Sequence, residues 1–275
     1  FEDLDKDIEH CRVPKKNVIY LNTETSFKKS HFFQYYMHSY ISQFGTTYSC
    51  YPMDHNNLIN SIPFLPWMIH ANYEASPLDF SKMNYKTLEK NNQSNKTIDL
   101  SVICSNKTNT ENHELRIEFL KILKNHFGKK LEWYGAGFKD IESKSKVIFD
   151  SKYHLVLEND SKNNLISEKL FDAFLGESFP IYYGAPNVSD YFLRDSFKSI
   201  DINNIDESIK IIENLIRSDT YLENIKQVRD SKIKVLNEYN FINRISEIVL
   251  EKSKISNGKE FVTELHSSQY FWKSL

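Results

Sequence analysis

The sequence predicts an α/β fold built on a doubly wound parallel sheet, and three observations carry that expectation. From residue 98 onward, short apolar runs alternate with segments of helical periodicity, the pattern of parallel strands covered by helices. Residues 152–189 read in order as strand, loop, helix, strand and turn, a βαβ unit whose two strands lie parallel. The chain has only seven glycines, and Gly135, Gly137 and Gly184 follow strand patterns, where a chain must turn closely around a helix start or a ligand.

Taken in order, the elements begin with a strand at residues 17–21, an apolar-rich helix over 30–44 and aromatic loops around 63–67. Residues 84–97 are polar and aperiodic, which marks the expected domain linker. Strands follow at 98–104, 131–134, 153–157, 179–183 and 197–200, with helices at 111–127 and 166–175. Helices fill most of 205–252. For the helix at 166–175, Ile166, Leu170, Ala173 and Phe174 share one face and Asn164 is the expected N-cap.

Composition narrows the function. A 40% hydrophobic and 26% charged chain of 275 residues is an ordinary globular one, and a formal net charge of −2 gives no field for nucleic acid. Cys11, Cys50 and Cys104 are scattered without metal-ligand spacing, which points to a reducing compartment rather than a disulfide framework. The nine histidines lack H-x-H or H-E-x-x-H spacing, and the run Asp3, Asp5, Asp7 does not follow a strand, so no metal is expected. No stretch reaches the roughly 20 apolar residues of a spanning helix. A cytoplasmic chain follows as the expectation, with peripheral membrane contact through Tyr270, Phe271 and Trp272 less favoured than docking of these aromatics on the protein.

The candidate site lies in residues 152–189. An apolar strand stops at Glu158 and Asn159, and the helix beyond opens with Glu168 and Lys169. Strand ends and helix N-termini in α/β sheets bind anions. A lysine there opposes the helix dipole by roughly 0.3–1 kcal/mol if exposed. Either an anion offsets Lys169, or it is a surface lysine paired with Asp172. Arg116, on the 111–127 helix, can grip a phosphate with two parallel hydrogen bonds or pair with Glu111, Glu114 or Glu118.

The run LEND, seven residues, then SEKLFDAFLGESFPIYYGAP resembles the donor-binding signature of the α-1,3-fucosyltransferases of bacterial type. The segment VIYLNTETS at 18–26 is similar to that family's strand ending in an N-x-E-S type sequence, and Arg116-x-x-Phe119-x-x-x-Leu123 to its arginine-bearing helix. The resemblance implies a GT-B-like architecture of two facing Rossmann-like domains, the N-terminal one incomplete. Residues 1–97 would be the acceptor-side domain with its linker, 98–238 the GDP-sugar domain, and 239–275 helices packing back on the acceptor side.

It further implies an inverting, metal-independent glycosyltransferase that moves L-fucose from GDP-β-L-fucose to a hydroxyl of an N-acetylglucosamine-like glycan. Its partners are then a nucleotide sugar and a glycan acceptor. By resemblance Glu24 is the general base, against the plain reading of a solvated loop carboxylate. Arg116 and Lys169 hold the diphosphate, Glu168 the ribose hydroxyls and Asn159 the phosphate or nearby sugar, with Tyr134 and Gly135 also on the donor. One departure stands out: the family has a tyrosine three residues before the T/S-E-K glutamate, and this chain has Leu165. That leaves a different nucleotide sugar, or a silent glycan-binding protein, as the alternatives.

Overall fold

The computed structural model describes residues 8–23, 31–70, 84–92, 95–253 and 262–267. Glu24, the Asp3 to Asp7 run and the aromatic triplet 270–272 lie outside them. The chain divides into two compact units, one of residues 1–65, 162–165 and 244–275, the other of 66–161 and 166–243. Among the described residues, no helix is long and apolar enough to cross a membrane.

The first unit opens with β1 (Ile8–Cys11) and β2 (Ile19–Leu21), followed by α1 (His31–Ser42), β3 (Thr46–Ser49) and β4 (Leu58–Asn60). Strands β2, β3 and β4 form a parallel three-stranded sheet. Its core gathers Met37, Tyr40, Ile41 and Phe44, with Tyr20 stacked on Phe44 at 4.9 Å. Asn57 supports the turn into β4, its side-chain amide donating to the carbonyls of Ile41 and Phe44.

The second unit starts with α2 (Tyr85–Lys90), a helix inside the polar segment expected to be a linker. Its N-cap Asn84 accepts from Thr87 N–H and Leu88 is fully buried, so one buried side chain and one cap are enough to fold a six-residue, mostly polar helix against the unit. Then come β5 (Ile98–Ile103), α3 (Glu111–Phe127), β6 (Leu131–Tyr134), α4 (Lys144–Ile148), β7 (Ser151–Leu157), α5 (Glu168–Leu175), β8 (Phe179–Tyr183) and the two-residue β9 (Lys198–Ser199). The five strands are parallel in the order β6-β5-β7-β8-β9. Strands β7 and β8 are buried along nearly their whole length, as parallel strands covered by helices on either side must be.

Helices α6 (Ile205–Ser218), α7 (Thr220–Glu223) and α8 (Ile225–Asn237) complete the unit. Tyr153 on β7 ties them down: its hydroxyl donates to Leu215 O at 2.7 Å and accepts from Tyr221 N–H at 2.9 Å. On α3 the buried face is Ile117, Phe119, Leu120 and Leu123, whereas Ile122 is 40% exposed. The stripe is set by a 3.6-residue period, and Ile122 falls just outside it.

The chain then runs through α9 (Phe241–Ser253), and a last strand, β10 (Thr263–His266), pairs antiparallel with β1. Ile8 and Glu9, to which the sequence assigned no element, therefore sit in a sheet. Their partners lie some 250 residues away, where no local pattern could announce them.

Candidate functional site

The site is built where β7 ends. Its last residue, Leu157, gives way to Glu158, which is completely buried. A buried carboxylate needs donors on both oxygens. Glu158 has them: Oε1 accepts Ser167 N–H at 2.7 Å, while Oε2 accepts Ser167 Oγ–H at 2.7 Å and the Lys169 ammonium at 3.2 Å.

Ser167, not Asn164, is the N-cap of α5, its Oγ accepting from Lys169 N–H. Asn164 instead takes a left-handed backbone (φ 64°) and donates its side-chain amide to Asn60 Oδ1. Short polar residues tolerate that conformation, so the N-cap falls three residues, and the helix start two residues, later than the apolar period suggests. The cation expected to strain the helix start is thus offset by protein carboxylates, Glu158 and, at 3.7 Å, Glu168. Asp172, the alternative partner, belongs to Lys144, with Nζ to Oδ2 at 2.9 Å.

Arg116 reaches the same place from α3. It is 6% exposed, donates from Nη1 to Leu157 O at 3.0 Å, and its Nε has no partner among the described residues. The acidic neighbours Glu111, Glu114 and Glu118 lie on the exposed face of α3, so the salt-bridge alternative is not what the structure contains. A guanidinium this buried, with no carboxylate partner among the described residues, is costly, and its retention points to an anion that is not part of the chain.

Between these groups lies a cavity of about 570 Å³, within the usual range of ligand pockets. It opens beyond the carboxyl ends of β5, β6 and β7. Arg116, Gly135, Asn159, Glu168 and Lys169 all line it, joined by Lys107, His113 and Lys144. Gly135 closes it tightly at φ 129°, where a Cβ would sit 2.6 Å from Cys104 O, so only glycine lets the backbone approach this wall. Tyr134 is not on the lining. Its hydroxyl accepts from Lys139 Nζ at 3.1 Å and its ring carries the same ammonium 4.5 Å from the centroid.

Electrostatics follow from crowding. Burial works to raise the Glu168 carboxyl, but Lys169 and Lys144 outweigh it and hold it below the usual range. Burial likewise opposes the charge on Lys169, and Glu158 with Glu168 outweighs it, so the ammonium stays above its ordinary value. For Asp172 burial wins over Lys144 and pushes the carboxyl up to about 6. For His154, hydrogen-bonded through Nδ1 to Ser101 Oγ, burial drives the imidazole down to about 3.

The last two shifts have opposite consequences for stability. Between the unfolded value of 3.8 and about 6, folded Asp172 holds a proton the unfolded chain has released, so stability falls as pH rises through that window. Below 6.5 the unfolded chain protonates a histidine that the fold keeps neutral, so His154 makes stability fall as pH drops towards about 3. From roughly pH 4 to 6 the slopes oppose, each about 1.4 kcal/mol per pH unit at most. Asp172→Asn should therefore lose melting temperature on acidification from pH 6 to 4 more steeply than the wild type. An equal or shallower loss would show that Asp172 is ionised throughout.

Sequence reasoning assigned no role to Glu158, Lys144 or His113. Glu158 had a signal, a carboxylate directly after the apolar run Leu155 to Leu157. Lys144 and His113 sit on unrelated segments and meet the site only through the fold.

A parallel sheet whose strand ends and two helix starts enclose a cationic cavity is the framework of a GT-B-like α/β protein. Residues 93–245 match the family model for the C-terminal domain of glycosyltransferase family 10 (fucosyltransferase), and the chain belongs to that family. It is 28% identical over 131 residues to the alpha-(1,3)-fucosyltransferase FucT of Helicobacter pylori, a match covering 45% of this chain and 27% of that enzyme. The fold is similar to a crystal structure of an alpha1,3-fucosyltransferase with GDP-fucose (TM-score 0.55, 17% identity, 88% of this chain and 75% of that one). It is also similar to that of TarM (TM-score 0.50, 13% identity, 86% and 49%).

Proposed function

We propose that this protein transfers L-fucose from GDP-β-L-fucose to a hydroxyl of a glycan, an N-acetylglucosamine-like acceptor in an α-1,3 linkage, with inversion at the anomeric carbon. The observation that carries the reading is Arg116: a buried guanidinium on the wall of a cavity that Lys169 also lines, its Nε without a partner among the described residues. Family membership and the relatives' activities support the donor and the reaction class.

Arg116 and Lys169 hold the two phosphates, so charge that develops on the leaving diphosphate is neutralised as the sugar departs. Glu168 accepts hydrogen bonds from the ribose hydroxyls, with Lys144 4.0 Å away keeping its carboxylate ionised. Asn159 contacts a phosphate or the sugar, and the backbone at Gly135 closes over the nucleotide. Tyr134, just before that turn, acts on it through Lys139, whose ammonium its hydroxyl accepts. Glu24 deprotonates the acceptor hydroxyl as it attacks in line. Two protein cations do the electrostatic work, so turnover is expected to persist in EDTA.

The deciding assay incubates the protein with GDP-fucose and a panel of N-acetyllactosamine and bacterial glycans, and reads the products by mass spectrometry. One deoxyhexose added to an acceptor is the expected result. Its absence from every acceptor, with binding of UDP sugars in preference to GDP, would shift the reading to another nucleotide sugar. Leu165, 1% exposed where the family carries tyrosine, favours that second possibility.

A further inference from the structure

Two histidines line this cavity, and His113, unlike His154 with its bond to Ser101 Oγ, stands beside Arg116 in unusual surroundings. It stands one helical turn before Arg116 at the start of α3, behind the N-cap Thr110, whose Oγ1 accepts the His113 N–H at 3.2 Å. Its side chain lines the cavity and its Nδ1 is buried without a partner among the described residues. Burial first, then Arg116 on its own helix, Lys107 on the loop after β5, and Lys169 on α5 hold its imidazole below the ordinary value. The remaining charged groups on the lining are Asp140, Lys144, Glu168 and Asp172. A helix start, a histidine and a guanidinium 6% exposed thus line one space, and His113 Nδ1 and Arg116 Nε are both buried without a partner among the described residues.

We infer that His113 is a proton-accepting phosphate ligand: its imidazole takes a proton from solvent when a nucleotide's diphosphate settles among Lys107, Arg116 and Lys169, and returns it when the nucleotide leaves. This rests on the donor-site reading above. The physics is a change of sign. In the empty cavity a charge on the ring would add to three cations. With a diphosphate in place the same three are neutralised, the ring faces an anion, and an imidazolium can donate to a phosphate oxygen. The helix N-terminus alone would oppose the protonated ring, and the bound anion reverses that too. Nucleotide capture is thereby coupled to proton uptake near neutral pH, so release of the diphosphate is favoured as pH rises.

The test uses GDP-fucose, because each phosphorus of a diphosphate diester carries a single strongly acidic group and the ligand's charge stays constant across the range. Calorimetry at pH 7 in two buffers of different ionisation enthalpy gives the protons taken up on binding. Wild-type protein should absorb a measurable fraction of a proton, and its affinity should weaken as pH rises from 6 to 8, by at most about tenfold per pH unit. In His113→Gln that share of the uptake should vanish and the affinity profile flatten. Any uptake left belongs to Asp172, the other cavity group pushed up towards neutrality. Equal proton uptake and parallel affinity profiles in the two proteins would overturn the proposal while leaving the donor site intact. Failure of GDP-fucose to bind the wild type at any pH would bring down the donor-site reading and this inference with it.

Discussion

Arg116→Met is expected to abolish nucleotide binding while leaving the protein as stable as before, or more so. Calorimetry with GDP and a thermal melt of the same sample check both halves. Two charge-assisted hydrogen bonds to a diphosphate, at about 1.5 kcal/mol or more each, predict at least a roughly 100-fold weaker Kd. Stability should not follow, because the wild-type guanidinium is desolvated without a carboxylate partner, its one described bond being to Leu157 O. Methionine of similar length fills the space without that desolvation cost. A residue kept for ligand rather than for fold shows this split between binding and stability. A variant that melts much lower would mean the guanidinium braces α3 against β7, and Arg116 would lose its place in the site.

Glu158→Gln is expected to fail in the opposite manner, with stability and binding falling together. The carboxylate is completely buried and takes three donors, Ser167 N–H, Ser167 Oγ–H and the Lys169 ammonium. Glutamine offers one acceptor oxygen and one amide that can only donate, so some donor in this set must face another donor. Lys169, with 29% of its side chain exposed, also loses a counter-charge. Breaking a buried pair from one side costs several kcal/mol. The partial exposure of Lys169 lowers that here to about 2–4 kcal/mol, or roughly 5–15 °C in melting temperature. Donor affinity should drop with it, because the first turn of α5 carries both Glu168 and Lys169. Melting within 2 °C of the wild type would show that Glu158 does not organise the site.

These two residues also mark how far the sequence could be read. The second unit was legible because its strands are continuous apolar runs, such as residues 153–157 and 179–183, separated by amphipathic helices, and burial on both faces of a parallel strand leaves that trace. Arg116 and Lys169 could be placed together from motif and position. What each touches could not. Lys169 looked like a cation awaiting an anion, yet the first anion it meets is Glu158, eleven residues earlier in the chain. That contact exists only once the loop after β7 folds back through Asn164 in its left-handed turn, a conformation no periodicity encodes.

The first unit was less legible for a related reason. Strands β3 and β4 are short, and Thr46–Ser49 is polar in composition though mostly buried. Strand β1 finds its partner only at the far end of the chain. Leu88 shows the same limit on a small scale, one buried leucine turning a polar stretch into a helix. Side chains such as His113 and Lys144 carry no motif at all, and only the packing of three helices around the strand ends brings them to the cavity.

The most direct test is a crystal structure of this protein with GDP bound. The diphosphate is predicted to lie in the cavity beyond β5, β6 and β7, with its oxygens about 2.7–3.0 Å from the Arg116 guanidinium and the Lys169 ammonium. A nucleotide bound elsewhere, with both cations contacting only protein and water, would contradict it.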